Sequence, residues 1–560
     1  GAAGSTAPGA PLRVLFFATA GGGVCELTPQ GEPRRFLLDA GVEKQDPNPY
    51  SRKVVVIDSC HHLVRPSLKY ARQLSQLRGQ LQAAQASAVI GFTGFLAGCE
   101  TKESRLLLDV VKGTEAALRT DAGYISAFHG RNIAMGCGLP LEATAVLSGD
   151  LLREDKLEEL VRRHSLHGEA LKRYVLREAE FQASPHIAQL PVWKVIAKLS
   201  NHCNLHVASN MTYHGVARDA LLKDTKQHAP KMHSIARSCT KATDKAVVIV
   251  GRDAGFRAML EVLQKAGKTG GFKVTTVDEL ASFNDARNMR GERFRVLVAE
   301  ASRVREGLKF RHVRRLYIVG LPLRHSDLIL WTSSCVRLGS HAELPEDERR
   351  VAIEFHIAHL PKMLHHGTGA LIYRELLNAK EAFHTAGDVL EATTEACLKA
   401  LKEQGVKTLS DLRRELQAEN GESVLELLKE TALEQLGSTS EAPVRALVSA
   451  LRRLRRGGDD LDAIEHAIAT HVKTADEMLL RRLVNKTNEL RPHLEAMRSH
   501  AVDGQFLARV LEGPRPPSVN SEAADAQGRN VIDLNEDAED DEEADVEEMA
   551  EEEGLDVDVD

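Results

Sequence analysis

The chain has 560 residues, 43% hydrophobic and 27% charged, which is ordinary for globular protein and enough for three or four domains. No apolar run approaches the roughly 20 residues of a membrane span. The small-residue start, Gly1 to Pro11, lacks the basic and apolar regions of a secretory signal, so this stretch is not expected to be one, and a soluble protein is expected.

Charge is unevenly spread. Asp533 to Asp560 holds 17 acidic residues and no Lys or Arg; without that tail the formal charge of −7 becomes +10. A modestly basic body with an acidic tail suits a protein that works near nucleic acid, and equally a body with a solubilising disordered tail. A basic protein is a second partner such a tail would suit. Eight cysteines (Cys25, Cys60, Cys99, Cys137, Cys203, Cys239, Cys335, Cys397) include no C-x-x-C pair, which argues against a disulfide framework or zinc site and for a reducing, intracellular setting, nuclear or cytoplasmic. The missing initiator Met is what a fragment or processed product would show.

In chain order, residues 1–11 read as disordered. Over 12–145, the short apolar runs Leu12–Thr19, Lys53–Asp58 and Ser87–Thr93 predict buried strands between amphipathic helices, and so a parallel sheet. Residues 146–228 read as a helical insertion, with Leu151, Leu157, Leu160 and Val161 at helical spacing. Residues 229–380 return to α/β, with strands expected at Ala246–Val250, Lys273–Val277, Arg295–Ala299 and Leu316–Val319. Residues 381–512 are helical and charged, and 513–560 form a disordered linker and acidic tail.

The most informative segment is Val54-Val55-Val56-Ile57-Asp58-Ser59-Cys60-His61: β-branched residues ending in a carboxylate delivered to a sheet's C-terminal edge, where α/β folds bind ligands. A strand merely ending in an Asp turn is the plain alternative. Thirty residues on, Ala88-Val89-Ile90-Gly91-Phe92-Thr93-Gly94 is a strand closing on a hydroxyl and a glycine. Arg295–Glu300 runs to Arg305-Glu306-Gly307-Leu308, and Ser326–Arg337 ends on an arginine.

In order and spacing these segments resemble the motifs of superfamily 2 helicase-like ATPases, nearest the poxviral nucleoside triphosphatase and chromatin-remodelling branches. Asp121–Phe128, Ala229-Pro230-Lys231-Met232 before the strand at 246, and Leu338-Gly339-Ser340-His341 add to the likeness. The resemblance implies two RecA-like lobes, ATP with Mg²⁺ as cofactor, and DNA or RNA as partner. It gives Asp58 the metal and nucleotide, with His61 and Gly307 beside the nucleotide. Thr93, Gly94 and Glu306 fall to coupling and nucleic-acid contact, and Arg337 to the finger that stabilises transferred phosphoryl charge.

The catalytic slots are damaged. Ser59 stands where the family has the glutamate that polarises the attacking water, and a serine is no base near neutral pH. Phe95-Leu96 replaces the T-P of the motif at Thr93; Leu330, Ser333 and Ser334 replace Gln, Gly and Arg before Arg337. A P-loop is not found. Gly21-Gly22-Gly23 has no following Lys and reads as a surface turn. Gly267-Lys268-Thr269 follows a helix and precedes a strand, the reverse of a P-loop, and reads as a helix end. The pairs His61-His62 and His365-His366 lack partners at metal-ligand spacing, so zinc is not expected. Arg452–Arg456 reads as a solvated helix end or, alternatively, a phosphate contact or weak import signal. Three functions stay open: a nucleic-acid-binding helicase-like protein with impaired hydrolysis, a fragment of an active ATPase or translocase, and a protein-interaction scaffold.

Overall fold

The computed structural model describes residues 13–20, 23–27, 33–35, 48, 50–51, 53–57, 60–64, 71–85, 87–91, 101–112, 125–126, 139–147, 151–204, 215–251, 254–305, 307–337, 339–365, 367–377, 385–437, 441–456, 473–499 and 501–502. The segments 1–11 and 513–560, expected to be disordered, lie outside them. The chain divides into two units, residues 1–129 with 493–560 and residues 130–492. Among the described residues no helix is long and apolar enough to cross a membrane.

The first unit holds a five-stranded sheet of β1 (Arg13–Ala20), β2 (Gly23–Leu27), β3 (Pro33–Arg35), β4 (Lys53–Ile57) and β5 (Ala88–Gly91), in the order β3-β2-β1-β4-β5. The three strands expected from the sequence are β1, β4 and β5, and they run parallel side by side. β2 and β3 are antiparallel additions. Ala20 pairs with Gly23, so only two residues join β1 to β2. The strands on either side of the glycine run are therefore antiparallel neighbours, where a P-loop would lead from a strand into a helix. Val55 and Ile57 point into a core with Leu74, Leu77 and Leu81 of α1 (Ala71–Ala83), and with Leu107 and Val110 of α2 (Thr101–Lys112). A short parallel pair, β6 (Ile125–Ser126) with β13 (Ala501–Val502), also lies in this unit.

The second unit is built on six parallel strands: β7 (Val161–Ser165), β8 (Ala246–Val250), β9 (Val274–Thr276), β10 (Val296–Glu300), β11 (Arg315–Ile318) and β12 (Ala352–His359), in the order β7-β12-β11-β8-β10-β9. Each central strand is apolar on both sides, as a sheet covered on both faces requires. Val247, Ile249, Leu297, Ala299, Leu316 and Ile318 enter one core; their neighbours Val248, Val250, Val296, Val298, Tyr317 and Val319 enter the other. The second core is closed by α3 (Pro230–Lys241), through Met232, Ile235 and Cys239, and by α4 (Phe256–Gly270), through Met259, Val262 and Leu263. Gly267, Lys268 and Thr269 belong to the last turn of α4. Gly271, at φ 64°, caps it by donating its N–H to the Gly267 carbonyl.

Two strands depart from the expected pattern. Residues 161–165 were expected in a helical stretch and are instead the edge strand β7, pairing with β12 from Val161↔Phe355 to Ser165↔His359. The helical spacing upstream yields only one turn, Leu157–Leu160. Pairing with β12 outweighs the local pattern at Val161-Arg162-Arg163-His164-Ser165. β12 itself is written as an alternation, Ile353-Glu354-Phe355-His356-Ile357, with the three apolar residues in the core.

A third core is all-helical and joins distant segments. Tyr174 of α5 (Gly168–Ala183) and Leu199 of α6 (Val192–His202) pack with Ile372 of α7 (Gly367–Leu377), Leu390 of α8 (Gly387–Glu403), Leu428 of α9 (Gly421–Leu436) and Leu447 of α10 (Glu441–Arg456). The helices before the parallel strands and those after them thus share one interior.

These layers meet at α11 (Ala475–Ser499). Leu479, Leu480, Leu483 and Val484 pack on the first face of the sheet. Its first turn carries Asp476, fully buried. The carboxylate accepts from Lys231 Nζ at 2.6 Å, Ser200 Oγ at 2.5 Å and the Ala358 N–H at 2.8 Å. Lys231 Nζ also donates to the Val319 carbonyl at 3.1 Å. Breaking such a pair leaves a bare charge in the interior. Asp476→Ala is expected to destabilise the second unit by about 3–5 kcal/mol, read as a lowered midpoint of its thermal transition. Replacing both partners with apolar residues of similar volume should recover much of that loss.

Candidate functional site

Open α/β sheets bind ligands beyond the C-terminal ends of their strands, where adjacent strands send their connections to opposite faces. In the second unit that point lies between β8 and β11. The helix after β8, α4, packs in the second core. The helix after β11, His325–Ser333, packs in the first through Leu328.

Small residues follow both strands. Gly251 follows β8, and a Cβ there would lie 3.3 Å from the Cβ of Ala254. Gly320 follows β11, and a Cβ there would lie 3.3 Å from Asn204 Nδ2 and 3.8 Å from the Ala254 Cβ. Gly251, Ala254, Gly320 and Asn204 are therefore one cluster at the crevice. Gly255, at φ 93°, is the N-cap of α4; it provides no side-chain cap, and the first turn holds no acidic residue. Asn204 is 1% exposed, and neither its amide nitrogen nor its amide oxygen has a hydrogen-bond partner. A buried, unsatisfied amide is costly and calls for a partner, a water or a ligand group.

The last two segments matched by sequence come together in this unit. After β10 and a 3-10 turn at Ala301–Arg303, Gly307 takes φ 85°. A Cβ there would meet nothing within 4 Å, so glycine answers to the backbone angle and not to crowding. Lys309, two residues on, reaches the Arg337 turn: its Nζ lies 3.6 Å from where a Cβ on Gly339 would be. Phe310 donates its N–H to the Ser334 carbonyl and His312 donates to that of Ser340. Burial, and then the charges of Arg311 and Arg337 among others, lower the pKa of Lys309.

His341 anchors this turn. It is fully buried, with Nε2 2.7 Å from the Val313 carbonyl and Nδ1 2.7 Å from Ser340 Oγ. A neutral ring satisfies both bonds, donating from Nε2 and accepting at Nδ1. Burial pushes its pKa down to about 4. His312, at φ 59° and fully buried, stands next to the same turn, with Nε2 2.7 Å from Glu343 Oε2.

In the first unit, β4 and β5 place Ile57 opposite Gly91, so the residues that follow each strand leave from one edge. A Cβ on Gly91 would lie 2.7 Å from Cys60 Sγ, which packs the end of β5 against the turn Cys60–Leu63. His61 sits in that turn, 3% exposed. Asp58, Ser59, Thr93, Gly94 and Glu306 lie outside the described residues. Among the described residues no group of three His, Cys, Asp or Glu side chains is placed to hold a metal ion.

Sequence reasoning missed Asn204, Gly320 and the crevice residues Gly251 and Gly255. Glycines directly after two apolar strands were the available signal; Asn204, at a helix end, carried none. A second feature also went unread. A pocket of about 440 Å³ is lined by Arg162 and His164 of β7, Glu354 and His356 of β12, and Ser234 and Ser238 of α3, among others. His164 Nε2 lies 2.9 Å from His356 Nδ1, and His356 Nε2 lies 3.4 Å from Glu354 Oε2. Burial, with His356 adding to it, pushes the His164 pKa down to about 3.

No family model matches the chain. It is 40% identical over 82 residues to an early transcription factor large subunit homolog of African swine fever virus (isolate Tick/Malawi/Lil 20-1/1983), a match of 15% of this chain and 7% of the relative. It is 34% identical over 76 residues to nucleoside triphosphatase I of Melanoplus sanguinipes entomopoxvirus, covering 14% of this chain and 12% of that one. The chain spans a small part of the length of these relatives. Among solved structures, the Sulfolobus solfataricus SWI2/SNF2 ATPase core in complex with dsDNA aligns over 62% of this chain and 71% of its own, at 13% identity and TM-score 0.22.

The histidines give a test. A buried His whose pKa falls on folding stabilises fully above the unfolded value near 6.5, and loses that contribution as pH drops toward the folded value. For His341 the window runs from about 6.5 down to about 4. The thermal midpoint of the second unit should therefore fall steadily between pH 7 and pH 4.5. His341→Leu should lower the midpoint at pH 7 and flatten part of the acid slope, while His164 and His356 retain theirs.

Proposed function

We propose that the chain is a helicase-like protein that binds nucleic acid and hydrolyses ATP poorly or not at all. The crevice between β8 and β11 carries the nucleic-acid part. Its uncapped helix N-terminus presents backbone N–H groups with the positive end of the helix dipole, suited to a phosphate. The orphaned Asn204 amide beside Gly320 adds a donor, and the glycines let a backbone approach closely. A body of formal charge +10 without the acidic tail supplies the long-range attraction. The viral relatives named for early transcription and for nucleoside triphosphatase activity support the same class.

Impaired hydrolysis follows from the residue types. Mg²⁺ with ATP, where it binds, would be held by Asp58 just after β4. Ser59 cannot take a proton from water, and each tenfold loss of rate corresponds to about 1.4 kcal/mol of barrier. The alternative, part of an active motor, draws on the Arg337 turn, which is still anchored by His341 and lies beside Lys309.

Fluorescence anisotropy with labelled DNA and RNA oligonucleotides should show affinity falling steeply with salt, about 10³-fold between 50 and 200 mM for six or so phosphate contacts. Asn204→Asp should weaken binding at every salt concentration. Binding that ignores salt, or no binding, sinks the proposal and favours a protein scaffold. ATP turnover stimulated by nucleic acid in the natural chain would establish the motor instead. Turnover appearing only in Ser59→Glu would place the defect at that residue.

A further inference from the structure

Outside the crevice, the helix α6 carries an unusual surface. Its eleven residues, Val192–His202, include Lys194 and Lys198 and no acidic residue. At its start Val192 is 69% exposed and Trp193 is 38% exposed, two of the few large apolar side chains left open among the described residues. Trp193 is not bare on both sides. The guanidinium of Arg482, from α11, lies 4.5 Å from the ring centroid. Arg481, the residue before it on α11, is exposed. An indole with a cation over its ring, on a helix whose charged side chains are all basic, makes two demands on a partner: a flat π surface for the ring and negative charge near it.

We infer that Trp193, backed by Arg482, is a stacking platform for an unpaired base of single-stranded nucleic acid. The inference rests on the nucleic-acid reading above and adds a second contact to it, distinct from the phosphate crevice. Charge decides between occupants. A protein partner docking on an apolar patch would meet only Val192 and Trp193 before running into Lys194, Lys198, Arg481 and Arg482. A strand of nucleic acid uses all of them, its base on the indole and its phosphates against the cations. Arg482 also holds the ring in place before binding, so less side-chain freedom is lost when a base arrives. The platform accepts any base, because every base offers a π face. It favours single strands, because a base inside a duplex is already stacked on its neighbours.

The chain has two tryptophans, so Trp331→Phe isolates the Trp193 signal. In that full-length background, titration with a 15-nucleotide oligo(dT) or oligo(U) should quench Trp193 fluorescence with the same midpoint as anisotropy. Trp193→Ala should weaken single-strand binding roughly 5- to 150-fold, the range for loss of one stacked base, with duplex binding unchanged and the thermal midpoint retained. Trp193→Phe should keep most of the affinity. Single-strand binding that survives Trp193→Ala unaltered, without quenching in the parent, overturns the platform and leaves the crevice reading intact. An equal loss for single strands and duplex overturns it as well. No binding of either form by the unmodified chain overturns both.

Discussion

One buried carboxylate holds the second unit together. Asp476 has no exposed surface, and the three groups that approach it come from three separate parts of the chain: Ser200 at the end of α6, Lys231 at the start of α3, and the backbone of Ala358 in β12. Taking a carboxylate and an ammonium out of water costs several kcal/mol each, and attraction offsets that only when the remaining lone pairs and protons are used. Here they are: Lys231 spends a second proton on the Val319 carbonyl. Thr474 reinforces the joint by donating its hydroxyl to the Ala358 carbonyl at 2.7 Å. The result fixes where α11 begins, and with it the row of leucines that covers one face of the sheet.

That joint also positions the crevice. Val319 precedes Gly320, and Ser200 lies one turn before Asn204. A single polar cluster thus sets both the strand end and the helix end between which the unsatisfied amide sits. The arrangement is rigid scaffold on one side and unfilled hydrogen-bonding capacity on the other, which is the usual division between what a fold keeps for itself and what it keeps for a ligand.

Much of the sheet was legible beforehand because continuous apolar runs in covered parallel strands are hard to mistake: Ala246–Val250 was read to the residue. The edge strand at 161–165 was not, since its arginines and histidine carry little apolar signal and its stability comes from a partner almost two hundred residues away. The damaged motifs were visible as letters, and the turns at Gly307 and Arg337 do meet. Asn204 could not be found by pattern at all. Its meaning lies in the absence of a hydrogen-bond partner, which only three dimensions reveal. The sharing of one helical core by residues near 174 and near 447 was hidden for a similar reason: amphipathic helices announce that they need a partner without saying which.

The strand at 161–165 bears on how this polypeptide can be divided. A fragment begun at Ala229, where the sequence suggests a lobe starts, would carry five of the six strands and leave one side of β12 without its neighbour. β7 covers five residues of that side, Phe355–His359, of which Phe355, Ile357 and Ala358 are buried apolar residues. A long, flat, apolar edge invites pairing with another chain. Such a fragment is exposed to self-association along that edge, which sedimentation would reveal before any activity was assayed.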